Sequence, residues 1–419
     1  MQRYSLLAIS LFVSCATKQA KPEKSAVDNP KSLKMELVHG KWFNGQEFIE
    51  RTVWVEDGLL SFDNIENEVD TVLDLSEKFV IPPFAEAHNH NLESDYELEK
   101  RIDDYLKNGV FYVKHLSAIK MQLQPLMHHY NKPSGLDIST TYAPLTGTGG
   151  HPIAIREKFF DWGYYDIFDS KQDIESHGYF VIDTEQDLTK KWGHILSFEP
   201  EFIKINLLYS EEYEMRKNDP VYFGKKGLDP KLVGKIVEKA HTDGLRVSAH
   251  VETAHDFHVA VMAGVDEVAH LPEIKNGQPI APEDIKMAKE KGITTVTTIS
   301  LVQKREKQPN FQALMENIGN NLEQFKREGA KLAIGSDNFN GNSVDEFELL
   351  QKLGIFTNLE LLKMWTENST ETIFPNRKVG KLHDGYEASF LVLDIDPLIA
   401  ISEVTEHIDL RIKQGIILD

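Results

Sequence analysis

Leu245-Arg246-Val247-Ser248-Ala249-His250 and, after a stretch that reads as a helix from Asp256 to Ala263, Glu267-Val268-Ala269-His270 are the residues that decide the fold. Both runs are short, apolar and strand-like, and each closes on a histidine. Strand, helix, strand in so short a span is the unit of a parallel sheet, because parallel strands need a crossover between them. The same alternation continues in both directions. Upstream it predicts a first apolar strand at Phe79 to Phe84, a helix near Ser94 to Asn108 and a strand at Val110 to His115, then a helix through Gln124 to Tyr130 and a strand at Ile138 to Ala143. A helix at Glu185 to Phe198, a strand at Phe202 to Leu207 and a helix at Pro230 to Asp243 complete that side. Downstream follow a helix at Glu283 to Lys291, a strand at Thr294 to Ile299, a helix at Phe311 to Glu328 and a strand at Leu332 to Gly335. Eight strands alternating with helices predict an α/β chain closed as a (β/α)8 TIM-like barrel. A doubly wound open sheet competes, but no glycine-rich phosphate fingerprint follows the first strand.

The ends differ from the middle. Met35 to His39, Phe48 to Glu56 and Leu59 to Phe62, separated by Asn44-Gly45-Gln46 and Asp57-Gly58, read as hairpin strands, and Ser389 to Leu393 and Arg411 to Leu418 form a second such set. Neither set can bury a core alone. Joining residues 34–80 and 383–419 into one small β-sandwich is the economical arrangement, with 81–382 as the catalytic barrel.

With 41% hydrophobic and 27% charged residues in 419, the composition is that of a globular enzyme. Sixty-six acidic residues against 46 basic ones leave a charge of −20, which repels phosphate backbones and argues against nucleic acid as a partner. A small-molecule substrate is expected instead. At the start, Arg3, the apolar run Leu6 to Val13 and Ser14-Cys15 read as an export signal too short to span a membrane. Residues 1–15 resemble a bacterial lipoprotein signal, which implies that Cys15, the sole cysteine, is lipidated and holds the protein to the cell envelope, at the outer membrane or the periplasmic face. A plain secretory signal with an incidental cysteine is the alternative. Residues 16–33, rich in Lys, Pro, Ser and Ala, read as a flexible tether. Contact with a membrane would then be through the N-terminal anchor only.

In a parallel barrel, reactive groups stand at the C-terminal ends of strands. His88 and His90, two residues apart, point to one side of an extended backbone. Lys204 lies within the apolar strand Phe202 to Leu207, where a cationic amine is costly to bury. One reading is a neutral amine able to take up carbon dioxide as a carbamate; the other is a strand-end lysine reaching solvent. His250 and His270 close strands five and six, and Asp337 ends strand eight in Gly335-Ser336-Asp337-Asn338. Singly, such histidines are more often structural and such aspartates more often caps. Together they fall at strand ends one, four, five, six and eight. Histidine and oxygen ligands without cysteine suit a catalytic divalent site, zinc being the commonest occupant.

That set resembles the amidohydrolase superfamily, in particular its imidazolonepropionase-like and prolidase-like members, as do the stretches Arg246 to Glu273 and Val379 to Asp394. The chain departs from the family at Pro82-Pro83 and Ala87, where a Pro-Gly pair and an Asp before the first histidine are usual, and at Ala388-Ser389, usually Ala-Asp. The resemblance implies two divalent metal ions, one on His88, His90 and Asp337, the other on His250 and His270, bridged by carboxylated Lys204. A shared hydroxide would attack the scissile carbonyl, with Asp337 passing the proton to the leaving nitrogen. It implies hydrolysis of an amide, dipeptide or cyclic amide, and assembly into a homo-oligomer, since related barrels often associate. His151, in Gly147-Thr148-Gly149-Gly150-His151-Pro152, resembles a substrate-contacting histidine of prolidase-like enzymes, the glycines allowing close approach to a ligand. Tyr209, beyond strand four, and His115, ending strand two, are further candidate substrate contacts. The long segment 151–183 with Trp162, Tyr164 and Tyr165 is expected to choose the substrate. Rival readings are a mononuclear deaminase of the same fold, which typically lacks the strand-four lysine, and a lipoprotein that binds a metal or ligand without turnover.

Overall fold

The computed structural model describes residues 33–63, 68–272 and 279–418. The signal segment with Cys15, and the tether apart from Leu33, lie outside the described residues. Among those described, no helix is long and apolar enough to cross a membrane.

Eighteen strands order the described residues. The N-terminal segment supplies β1 (Met35–Phe43), β2 (Phe48–Glu56), β3 (Leu59–Ser61), β4 (Thr71–Asp74) and β5 (Phe79–Ile81). The middle supplies β6 (Phe84–Asn89), β7 (Val110–His115), β8 (Asp137–Thr140), β9 (Leu145–Thr146), β10 (Phe180–Val181), β11 (Phe202–Asn206), β12 (Arg246–His250), β13 (Glu267–Val268), β14 (Thr294–Val296) and β15 (Leu332–Ala333). The C-terminal segment adds β16 (Phe390–Leu393), β17 (Ile408–Lys413) and β18 (Ile416–Leu418). The expected first strand, Phe79 to Phe84, is two strands. Pro82 and Pro83 offer no N–H to a ladder, so β5 ends before them and β6 starts after them.

The terminal segments meet through antiparallel β5 and β16, with Val80 opposite Val392. They form a single hydrogen-bonded sheet in the order β18-β17-β16-β5-β1-β2-β3, with β4 also against β1. Trp42 on β1 packs against Phe390 on β16 at 5.3 Å between ring centroids, so each end covers apolar surface of the other.

The middle strands run parallel in two pieces, β6-β7-β8 and β10-β9-β11-β12-β13-β14-β15. Single backbone bonds cross both gaps: Ala87 N donates to Ile334 O at 2.9 Å and Asp337 N to His88 O at 2.8 Å, while Glu201 N donates to Thr140 O at 3.1 Å. Gly335 stands at the first of these crossings. A Cβ there would lie 2.6 Å from the His88 nitrogen and 2.7 Å from Val296 Cγ1, so only glycine lets the last strand approach the first.

Helices fill the crossovers and cover the sheet. Pro230–Thr242 buries Leu232, Val233, Ile236, Val237 and Ala240, a spacing of three and four residues along one face. Further α-helices stand between the expected ones, the longest being Ile153–Asp161, Ser343–Leu353 and Asn358–Lys363 among the described residues. Inside the strands, Lys114 of β7 donates to Glu267 of β13 at 2.7 Å, with both side chains buried. Ser248 Oγ donates to the second Glu267 oxygen at 2.7 Å.

Candidate metal centre and active site

Register fixes how the first groups meet. On β11 and β12, Lys204 stands level with Ser248, and Asn206 with His250. Residues two apart on a strand share a face, so Lys204 and Asn206 point the same way. The Lys204 side chain is buried, and Nζ has no hydrogen-bond partner. Burial pulls its pKa down to about 7, against the opposing pull of Glu267 and Asp337. Of the two sequence readings of Lys204, the solvent-reaching one is excluded by this geometry.

Histidines surround that amine. His88 and His270 have ring centroids 4.5 Å apart, and His250 and His270 4.4 Å apart. His88 Nε2 lies 3.1 Å from His90 Nε2, and Asp337 Oδ1 is 3.6 Å from the first and 3.5 Å from the second. Donor atoms of His88, His90 and Asp337 all lie within 4.8 Å of one another, a spacing that one cation can span. Burial holds His88, His90 and His270 well below the usual histidine range, so all three stay neutral, as metal coordination requires. Burial also pushes the Asp337 carboxyl up to about 7, with Lys204 pulling it back.

Each group is aimed by a neighbour. His88 Nδ1 donates to the Ala269 carbonyl at 2.8 Å, and His270 Nδ1 meets Thr298 Oγ1 at 3.0 Å. These bonds leave the Nε2 atoms turned to the centre. Asp337 has φ 49°, a left-handed conformation that Asp tolerates and that turns its carboxylate off the strand direction. Thr298, at φ 47°, adopts it as a β-branched residue, a strained position kept by bonds to Gly335 O at 3.1 Å and to His270.

Glu86, two residues before His88, does for the loops what these bonds do for the rings. It accepts from Ser336 N at 2.8 Å, Ser336 Oγ at 2.7 Å, His88 N at 3.1 Å and Asn89 Nδ2 at 3.3 Å. Strand one and the loop bearing Asp337 are thereby locked together. Burial raises its carboxyl to about 8.

One cavity is lined by His88, His90, Lys204, His250, His270 and Asp337, and also by His151, Asn206, Glu93 and Arg156. His151 stacks on His250 with centroids 4.7 Å apart and planes 23° apart. The glycines beside it do not line a ligand path. A Cβ on Gly147 would meet Gly227 O at 2.6 Å and one on Gly150 would meet Lys226 O at 3.0 Å, so they seat the loop on the segment after β11. His151 N, bonded to Lys226 O at 2.8 Å, is held toward the cavity by that seating.

Two candidate substrate residues stand elsewhere. His115 is fully buried with both ring nitrogens unpartnered; it lies behind His90, ring centroids 5.9 Å apart, and does not line the cavity. The Tyr209 N–H donates to Asp256 at 3.0 Å, and its ring lies 3.7 Å under the Arg216 guanidinium. It is not among the cavity residues.

Sequence reasoning missed a wall. Pro152, Ile155, Arg156 and Phe159 line the cavity at successive spacings of three, one and three, one face of the helix Ile153–Asp161. Arg156 is buried and donates to Glu93 at 3.0 Å, to the Tyr165 hydroxyl and to Ser117 Oγ. The apolar positions Ile153, Ile155 and Phe159 were a helical signal in the sequence, hidden by treating 151–183 as one insert.

Residues 219–417 match the amidohydrolase family, a span holding His250, His270 and Asp337. No curated protein matches the chain. Among solved structures, the ochratoxinase of A. niger superposes with a TM-score of 0.72 at 18% identity, over 92% of this chain and 96% of that one. A Xaa-Pro dipeptidase with bound methionine in the active site gives 0.70 at 19%, over 92% of this chain and 100% of that one. Molinate hydrolase gives 0.70 at 15%, over 93% and 95%. At these identities the likeness is one of fold.

Proposed function

We propose that this chain is an exported, metal-dependent amidohydrolase that cleaves the C–N bond of an amide, a dipeptide or a cyclic amide. It is a hydrolase acting on carbon–nitrogen bonds, and its fold is read as a (β/α)8 barrel, a reading supported by the backbone bonds Ala87–Ile334 and Glu201–Thr140 between the two parallel sheets. The small terminal domain is read as a β-sandwich. Export and lipid anchoring at Cys15 rest on the N-terminal sequence alone.

The observation that carries the reading is a partnerless lysine amine, buried among neutral histidines and one aspartate at the strand ends of a parallel sheet. These residues fit divalent cations: His88, His90 and Asp337 would hold one, and His250 and His270 a second, with Lys204 as a carbamate supplying oxygen donors. Zinc suits such nitrogen and oxygen donors. Bound there, the cations supply Lewis-acid polarisation of the scissile carbonyl and a lowered pKa for water.

The chain's own residues do the rest. With its pKa near 7, the Lys204 amine is substantially unprotonated at neutral pH, the form that adds to carbon dioxide with loss of one proton. Asp337, beside His88 and His90, would take a proton from the attacking water and return it to the leaving nitrogen. His151, on the cavity wall beside His250, is placed to donate to a substrate oxygen.

Elemental analysis of purified protein tests the reading. Two cations per chain, falling when Lys204 is replaced by Ala, together with hydrolysis of members of a dipeptide and lactam panel, are the expected results. Folded protein without bound metal under zinc supplementation would overturn it.

A further inference from the structure

Metal chemistry selects the bond; the cavity's other surfaces select the molecule. Resting on the reading of this cavity as the hydrolytic site, we infer that Phe159 and Phe339 are specificity-determining residues, and that the substrate carries an aromatic ring seated against them.

Both rings line the cavity from different elements. Phe339 follows Asp337 by two residues, and its carbonyl accepts from Arg101 at 2.7 Å, which fixes the loop there. Its ring lies over that of His90, centroids 6.1 Å apart and planes 26° apart. Phe159 meets it edge to face at 6.0 Å and 77°. From Phe159 the aromatic surface runs outward to Trp162 at 5.9 Å and Tyr164 at 5.7 Å. A chain of rings thus leads from an imidazole of the metal set to the protein surface.

That surface is left in water. Phe339 is 45% exposed, and Trp162 and Tyr164 are each 61% exposed. Large apolar side chains gathered at the rim of a cavity are covered when a ligand enters, and an aromatic ligand adds stacked and edge contacts to the area it buries. The polar part of the wall that carries Phe159 asks for less. Arg156 already donates to Glu93, Tyr165 and Ser117, so its charge is met within the protein and demands no anionic group. Ile155 and Leu116 extend the apolar lining. With Arg156 satisfied within the protein, the half-buried ring of Phe159 and the exposed ring of Phe339 fit a neutral ring better than a second charge.

Calorimetric titration of the metal-loaded full chain with 3-phenylpropan-1-ol and with butan-1-ol tests this without turnover, since neither is hydrolysable. The phenyl compound is expected to bind at least about tenfold more tightly, as burial of one aromatic ring implies. Phe339→Ala and Phe159→Ala should each cut that advantage about fivefold and leave butan-1-ol affinity and metal content unchanged. Phe339 is exposed and Phe159 half-buried, so at least one variant folds. Equal affinities in the unmodified protein, or failure of the phenyl compound to bind, overturns the inference, as does an advantage that survives both substitutions. Binding preference without any hydrolysis would sink the reaction and spare the subsite; hydrolysis without preference would do the reverse.

Discussion

His88 Nδ1 donates to the carbonyl oxygen of Ala269 at 2.8 Å, so the residue before one histidine of the set orients another from the far side of the sheet. The bond fixes the tautomer, leaving the Nε2 lone pair facing His90 and Asp337. His88→Ala removes a donor from the group best spaced for a cation. Metal content should fall by about one equivalent, and kcat/KM by ~10^3-fold, about 4 kcal/mol of barrier. Elemental analysis beside steady-state kinetics checks both. Full metal content with intact activity would remove His88 from the site.

Thr298 offers a separation of stability from function. Its positive φ costs about 1–2 kcal/mol for a residue bearing a Cβ, and glycine would relieve that while losing ~1 kcal/mol of chain entropy. Thr298→Gly should therefore leave folding stability within about 1 kcal/mol of the parent. It also deletes the hydroxyl that meets His270 at 3.0 Å, and loss of such an orienting partner lowers activity about 10- to 100-fold. Thr298→Ser keeps the hydroxyl and should keep the rate. A glycine variant as active as the serine variant would show that the contact is incidental.

What the sequence could and could not disclose follows from the range of each interaction. His250, His270, Lys204 and Asp337 were legible because they interrupt apolar runs, and an apolar run is a local signal. Pro82-Pro83 carried a local signal too, for a break inside the strand expected at Phe79 to Phe84. Glu86 and Thr298 were silent. Their roles lie in bonds to Ser336 and His270, and no spacing along the chain encodes those partners. Tyr209 and His115 show the same limit, since a strand-end position discloses no partner: Asp256, forty-seven positions along, takes the Tyr209 N–H, and the His115 ring packs against His90.

That aspartate makes its own prediction. Asp256 is fully buried and accepts four backbone N–H groups, from Tyr209 at 3.0 Å, Ser210 at 2.8 Å, Glu252 at 3.1 Å and Thr253 at 3.0 Å. It closes a capping box with Thr253 as well. Alanine would strand four buried donors, so Asp256→Ala should cost about 3 kcal/mol or more in urea unfolding. Metal affinity should weaken with it, since His250 precedes Glu252 by two residues. A loss below ~1 kcal/mol would mean that water replaces the carboxylate.

Glu346 carries a pH signature in the same region of the fold, because it holds the turn after Thr298. Its carboxylate accepts from Ile299 N at 2.9 Å and Ser300 N at 2.6 Å, yet burial raises its pKa from 4.5 to about 7. The folded state therefore keeps this proton where the unfolded chain has lost it. Below pH 4.5 both states are protonated and the contribution is complete; between 4.5 and 7 the unfolded state gains relative to the folded one, so stability declines as pH rises. The full excursion amounts to about 3 kcal/mol. Glu346→Gln cannot titrate, so other groups cancel when the two proteins are compared. The advantage of the parent over the glutamine variant should shrink by up to ~3 kcal/mol from pH 4.5 to 7.5 in paired urea titrations. A gap that stays constant across that window would place the Glu346 pKa near that of an ordinary glutamate, with the two backbone donors outweighing burial.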